Sequence, residues 1–265
     1  MKYNPLENSI SIVGATSGLG EATARWLAKQ GWPLRLIGRN SEKLSSLVNE
    51  LEALPRSKIL EAISVDLLTE GGLQKAQESC VSSDITLNFI GIGLAGDSVQ
   101  FDEARVRELL RINVEQTTLL TLNISRAYMK RGHGKVINTA SLAAFHPIPY
   151  FSIYAASKAY LLSFDLALYK ELASKRVYVI TLCPGGLKTE FHSKAGLKDS
   201  IVKDYETFVT EPIVWAKKIE NIVKRGKSPQ YLLGRESMYS VFTKVLPSTF
   251  MASTSGKLYK KYVDI

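Results

Sequence analysis

From its first residues the chain alternates short apolar or β-branched runs with longer stretches whose apolar residues recur at helical spacing. Residues 9–13 read as a strand. Residues 19–30, with Ala22, Ala24, Trp26 and Leu27 at helical spacing, read as a helix stopped by Gly31-Trp32-Pro33. Residues 34–37 predict a second strand, Ser41 caps a helix reaching about Leu54, and residues 58–65 contain a third strand. A fourth strand at 85–89, a long helix at 106–129 and a fifth strand at 135–138 follow. Another helix begins after Phe151. Residues 177–182 give strand six, ended by a turn at Pro184-Gly185, and a helix at 212–224 precedes a last strand at 231–233. Strands alternating with crossover helices predict an α/β fold, a doubly wound parallel sheet in three layers.

A length of 265 residues suits one large core and is short for two enzyme domains, so a single domain over 1–265 is expected. Ordinary charged and apolar fractions exclude a disordered or collagen-like chain. The 34 Lys and Arg against 25 Asp and Glu give a formal net charge of +9, which attracts anions. No zinc framework, RNA-binding aromatic signature or long basic run directs nucleic acid, so a phosphorylated cofactor and solubility account for the charge, and no nucleic-acid partner is expected. Cys80 and Cys183 are far apart and form no CxxC, which fits a reducing setting without disulfides. The first eight residues lack a signal-peptide core and no apolar run is long enough to span a bilayer, so a cytoplasmic location is expected. His133, His146 and His192 lack metal-ligand spacing and are expected on the surface or in loops, with no metal.

Two groups of residues carry chemistry. Gly14, Gly18 and Gly20, with Thr16, Ser17 and Leu19 among them, fall between the first strand and its helix. A loop without Cβ atoms there lets backbone N–H groups and the helix N-terminus approach a pyrophosphate, although glycines also serve simply to make tight turns. The second strand ends in Gly38-Arg39-Asn40. NAD-selective enzymes place a carboxylate there, whereas a guanidinium binds a 2′-phosphate, so Arg39 points to NADP(H). Ser141 directly follows strand five, and Tyr154 and Lys158 lie one turn apart on a single helix face. A lysine beside a phenol lowers the phenol pKa, so Tyr154 is the expected acid-base residue, with Ser141 holding a carbonyl oxygen.

Val13-Gly14-Ala15-Thr16-Ser17-Gly18-Leu19-Gly20 and the Ser141-x12-Tyr154-x3-Lys158 spacing together resemble the short-chain dehydrogenase/reductase family. Val13 replaces the usual leading threonine. The resemblance implies a Rossmann-like fold and an NADP(H)-dependent oxidoreductase interconverting a carbonyl and an alcohol. It further implies that Asp66, followed by Leu67, contacts adenine, that Asn113 supports a water-linked proton path to Lys158, and that Thr189 in Pro184-Gly185-Gly186-Leu187-Lys188-Thr189 contacts the nicotinamide side. The family's Asn-Asn-Ala-Gly appears as Asn88-Phe89-Ile90-Gly91, so Asn88 and Gly91 match while Phe89 implies altered packing. A homodimer or homotetramer through the helices around Asn113 and Tyr154 is also implied.

Segments 142–151 and 191–210 supply Phe145, Ile148, Tyr150, Phe151, Phe191, Leu197, Tyr205 and Phe208 to enclose a hydrophobic small-molecule carbonyl or alcohol, or to fill the core. The C-terminal extension, 235–265, mixes apolar anchors such as Val241, Phe242 and Phe250 with basic charge. It is left with three roles: peripheral membrane contact, closure of the pocket, or a subunit interface. A cofactor-binding sensor or scaffold without turnover is the rival reading of the whole chain.

Overall fold

The computed structural model describes residues 2–198, 200–204, 209–225, 231–233 and 246–263. β1 (Ile10–Val13) is buried throughout, and β-branched side chains suit such a two-faced strand. The chain then alternates α1 (Gly18–Lys29), β2 (Pro33–Gly38), α2 (Ser41–Glu52), β3 (Lys58–Ser64), α3 (Gly72–Val81) and β4 (Ile85–Asn88). It continues through α4 (Glu103–Leu110), α5 (Thr117–Arg131), β5 (Gly134–Thr139), α6 (Ser152–Leu172) and β6 (Val177–Cys183). Short α7 (Phe191–Lys194) and α8 (Ser200–Asp204) precede α9 (Pro212–Lys224), β7 (Tyr231–Leu233) and α10 (Ser248–Tyr259).

Every strand pairing among the described residues is parallel, in the order β3-β2-β1-β4-β5-β6-β7. The fold is therefore the expected doubly wound, Rossmann-like α/β sandwich. Strand order reverses between β1 and β4, and in open α/β sheets ligands bind at the carboxyl ends of strands flanking such a reversal. Ile10, Ile12, Leu34 and Leu36 pack on one face with Leu27, Trp32, Trp215 and Ile219. Val13, Ile37, Val177 and Val179 pack on the other with Ala76, Ile124, Tyr128 and Leu168. A third apolar cluster crosses the sheet's edge and joins Ile148, Phe151 and Tyr154 to Ala195, Leu197, Tyr262 and Val263.

Three local readings are corrected. Asn40, not Ser41, caps α2, its Oδ1 accepting from the Lys43 N–H at 2.7 Å, because Asn40 keeps extended backbone while Ser41 is already helical. The long helix spans α4 and α5 but is wound as a π-helix over Arg111–Gln116, where Asn113 turns to pair with Ile92. The helices α3 and α10 also form, although thin apolar stripes left both unassigned. Among the described residues no helix is long and apolar enough to cross a membrane.

One buried charge braces the sheet. Lys135, at the start of β5, is fully buried, and its Nζ donates to the carbonyls of Ile222 at 2.8 Å, Val223 at 3.0 Å and Arg225 while lying 4.7 Å over the Tyr3 ring. It thereby donates to carbonyls at the C-terminal end of α9, where backbone acceptors outnumber helical donors. Burial, with Arg225 adding to it, pushes the ammonium pKa down to about 7.

Candidate active site

The carboxyl ends of β1, β4, β5 and β6 open into one cleft of about 1840 Å³. Gly14 and Gly18 take left-handed backbone, φ 82° and 52°, which only glycine adopts without strain. A Cβ at Gly20 would lie 2.1 Å from the Gly14 carbonyl oxygen, so α1 packs against its own loop only because that atom is missing. Ser17 makes no side-chain cap bond to α1, leaving the first-turn N–H groups without a capping acceptor beside Gly18 and Leu19, which line the cleft. A dinucleotide's pyrophosphate fits a cradle of this kind.

Thr16, Arg39, Asn40, Asp66, Leu67, Gly91, Pro184, Gly185, Leu187 and Thr189 also line the cleft, together with the loop residues Gly14, Ser17, Gly18 and Leu19. The exposed Arg39 has no carboxylate partner among the described residues. Asp66 Oδ1 accepts from the Leu68 N–H at 2.9 Å, an Asx turn that fixes the carboxylate at the cleft wall. Asn88 lies beneath the cleft rather than lining it: its Nδ2 donates to Asn138 at 3.1 Å and its Oδ1 accepts from Ile90 N. Phe89 does line the cleft and packs against the α1 side of the core.

The four expected catalytic side chains converge. Ser141 begins a short 3-10 helix, its Oγ accepting from the Ala143 N–H at 3.1 Å, and its side chain lies near enough to the Tyr154 phenol to favour the ionised form. Lys158 Nζ donates to the Thr139 carbonyl at 2.8 Å and lies 5.7 Å from the Tyr154 ring centroid. A Cβ at Gly91 would fall 2.9 Å from Lys158 Nζ and 3.4 Å from Asn113 Oδ1, so glycine makes room for both. Asn113 is fully buried, its Oδ1 accepting from Ile92 N at 2.9 Å and its Nδ2 donating to Ile92 O at 2.9 Å and to Ser157. It pins the segment after β4 to α6 like a missing strand partner and, with Gly20 and Asn88, does not line the cleft.

Electrostatics modify one expectation. The Tyr154 phenol is raised above its ordinary range because burial outweighs the effect of Ser141, with Tyr259 adding to the rise. Burial pushes Lys158 itself down to about 8, against the pull of Asp165 and Cys183.

The substrate end is aromatic. Phe151 stacks on Tyr154 at 4.3 Å between centroids, Phe191 tilts against it at 5.4 Å, and Tyr259 of α10 stacks on Phe151 at 5.6 Å. Ile148, Phe151 and Phe191 line the cleft as the sequence suggests, whereas Phe145 packs toward Tyr231 and Leu197 is core. Tyr150, with φ 63°, packs in the same cluster just before α6. Tyr205, Phe208, Val241 and Phe242 lie outside the described residues. His146 and His192, expected on the surface or in loops, line the cleft, His146 from the loop after the 3-10 turn and His192 from α7, and burial lowers both imidazoles below their usual range. Met251, Ser255 and Tyr259 of α10 line this end of the cleft. Among the described residues no cluster of His, Cys, Asp or Glu fits a metal.

A dinucleotide cradle and a tyrosine–lysine–serine cluster facing one cleft define a class of redox protein. Residues 8–199 match the family model described as short chain dehydrogenase, and the chain belongs to that oxidoreductase family. It is 30% identical to a very-long-chain 3-oxoacyl-CoA reductase-like protein of Arabidopsis thaliana, over 78% of this chain and 67% of the relative. It is likewise 30% identical to a serine 3-dehydrogenase of Agrobacterium fabrum, over 70% and 74%. The fold matches a short-chain dehydrogenase from Sphingobium yanoikuyae in complex with NADPH, with TM-score 0.78, 23% identity and coverage of 90% and 93%. A 3-ketoacyl-(acyl-carrier-protein) reductase from Brucella melitensis complexed with NADH gives TM-score 0.75, 22% identity and coverage of 86% and 96%.

Proposed function

We propose that this protein is an NADP(H)-dependent enzyme interconverting a carbonyl and an alcohol on a hydrophobic small molecule. The observation that carries the reading is the convergence of Ser141, Tyr154 and Lys158 on the same cleft that the glycine loop lines. In this reading Gly14, Thr16, Ser17, Gly18, Leu19 and Gly20 form the phosphate cradle and its helix packing, and Asp66 and Leu67 flank the adenine. Asn88 and Gly91 shape the ribose floor, Pro184 to Thr189 border the nicotinamide side, and Arg39 and Asn40 meet the 2′-phosphate. When bound, the nicotinamide supplies or accepts hydride. Tyr154 gives its proton to the carbonyl oxygen in reduction, Ser141 steadies the oxygen as negative charge develops, and Lys158 supplies positive charge beside the phenol. Asn113 keeps α6 and the segment after β4 in register so that this geometry persists.

Structural neighbours carry NADPH in three cases and NADH in another, so the cofactor choice rests on Arg39, a guanidinium without a carboxylate partner among the described residues. The hydrophobic preference rests on the Phe151, Phe191 and Tyr259 lining. A cytoplasmic oligomer assembled on the α4–α6 side, where Leu110, Leu119 and Tyr160 are exposed, belongs to the same reading.

The test is oxidation of NADPH and NADH by wild type, Tyr154→Phe and Arg39→Asp over carbonyls running from small polar ketones to long apolar ones. Tyr154→Phe is expected to lose about 10²–10⁴-fold in turnover, and Arg39→Asp to shift preference toward NADH. Activity surviving the first change removes Tyr154 as proton donor, and an unchanged preference after the second removes Arg39 as discriminator. Equal turnover of polar and apolar carbonyls ends the hydrophobic assignment, and tight NADPH binding without turnover favours a sensor.

A further inference from the structure

Lys158 must hold a positive charge inside the protein, where it is 3% exposed and has one hydrogen-bond acceptor among the described residues, the Thr139 carbonyl. Seven residues on along α6 stands Asp165, also on the inner face, since seven residues make almost two whole turns, about 10 Å along the axis. Asp165 is fully buried and has no salt bridge among the described residues. A lone carboxylate there is expensive unless something compensates it.

Its surroundings are built to hold it. Oδ1 accepts from Asn138 Nδ2 at 2.9 Å and Oδ2 accepts from Thr181 Oγ1 at 3.0 Å. Asn138 in turn touches Thr121 Oγ1 at 3.0 Å and accepts from Asn88 Nδ2 at 3.1 Å. The Asn88 carbonyl accepts from Thr139 Oγ1 at 2.9 Å, and the Thr139 carbonyl accepts from Lys158. An unbroken polar layer therefore links the carboxylate to the ammonium beneath the floor of the cleft.

We propose that Asp165 is a positioning residue of the active site: its buried carboxylate is the counter-charge that keeps Lys158 an ammonium through the neutral range, with Asn138 and Thr181 holding it in place. Burial pushes Asp165 up to about 7 and Lys158 down to about 8, and each charge pulls the other back. The other titratable groups facing the pair are neutral. The Cys183 thiol on β6 is pushed up to about 12, mainly by burial, and the Tyr154 phenol is also raised. From α5 and β5 come Thr121 and Asn138, which do not titrate. Without the carboxylate Lys158 sheds its proton at lower pH, and Tyr154 loses the cation beside it.

The inference rests on the proposed roles of Tyr154 and Lys158, and two readouts separate its failure from theirs. Asp165→Asn keeps the shape while removing the charge. In carbonyl reduction the basic limb of its kcat/KM profile is expected to move down by about one pH unit or more, with a loss of about tenfold at pH 8 and near wild-type rates at pH 6. Thr181→Val, which removes one of the two hydrogen bonds to the carboxylate, should move the limb the same way by less. A lower melting temperature with an unmoved basic limb means a structural role only and overturns the proposal.

The second readout is the ¹³Cε titration of Lys158 in ligand-free wild type and Asp165→Asn, which needs no turnover. A lower midpoint in the variant supports the proposal, and equal midpoints overturn it whatever the substrate proves to be. Should Asp165→Asn not fold, the wild-type titration decides alone. Lys158 and the Asp165 carboxyl must then titrate as a coupled pair, and independent single steps overturn the proposal.

Discussion

β5 has a buried ammonium at each end, and the two are used in opposite ways. Lys135 at its start directs its three N–H bonds at three carbonyls and lies over the Tyr3 ring, so it has nothing left to offer a ligand. Lys158 meets the last residue of the strand through one carbonyl, that of Thr139, and keeps its remaining donors at the cleft. Burial pushes both down, to about 7 and about 8. A buried lysine is therefore no sign of function by itself. The number of acceptors the fold supplies separates the brace from the reagent.

The sharpest way to break this contrast is to remove each ammonium while keeping its apolar stem. Lys158→Met is expected to lower turnover by about 10²–10⁴-fold, with the melting temperature little changed. If activity persists, the spare donors at Lys158 do no chemistry. Lys135→Met should do the reverse. Removing the ammonium from the carbonyls at the α9 C-terminus costs about 2–4 kcal/mol, a drop in melting temperature of about 5–15 °C, while the molecules still folded keep their kcat. A melting temperature unmoved by this change would mean that water satisfies those carbonyls equally well.

The same contrast also has a signature in pH. Lys135 has a folded-state pKa near 7 against the ordinary lysine value of 10.5, so between these pH values the unfolded chain binds more protons and stability rises with pH. Below about pH 7 both states are protonated and the contribution is flat. Urea midpoints measured from pH 7 to 10 should climb more steeply for wild type than for Lys135→Met, and parallel curves would contradict the assigned shift.

Much of this was legible in the chain. Strand positions followed from β-branched runs, and the observed strands differ from the expected ones by a residue or two because pairing, not composition, sets where a strand ends. The glycine loop, Ser141, Tyr154 and Lys158 were readable because their chemistry depends on local spacing. Asn113 was readable as a residue but not as a brace, since its partner Ile92 lies across a π-helical turn that has no apolar signature. His146 and His192 looked idle because nothing in their neighbours' periodicity tells which side of a loop faces a cleft. Asp165 left one faint signal, an acidic residue in the otherwise uncharged run from Leu161 to Leu168, seven positions after the lysine.

The placement of α10 also bears on how the protein is made. Gly256 fits against Pro149, where a Cβ would come within 3.1 Å, and Ser255 Oγ approaches the Pro147 carbonyl at 3.2 Å, so the last helix rests on the peptide that leads into α6. On the ribosome the sheet, the glycine loop and α6 emerge before α10, and domains fold progressively as the chain is synthesised. A nascent chain can thus hold the glycine loop, Ser141, Tyr154 and Lys158 while the Phe151 ring still lacks Tyr259 above it. The glycine loop and the Tyr154 face of α6 are synthesised before the twelve residues of α10 that cover the aromatic end of the cleft.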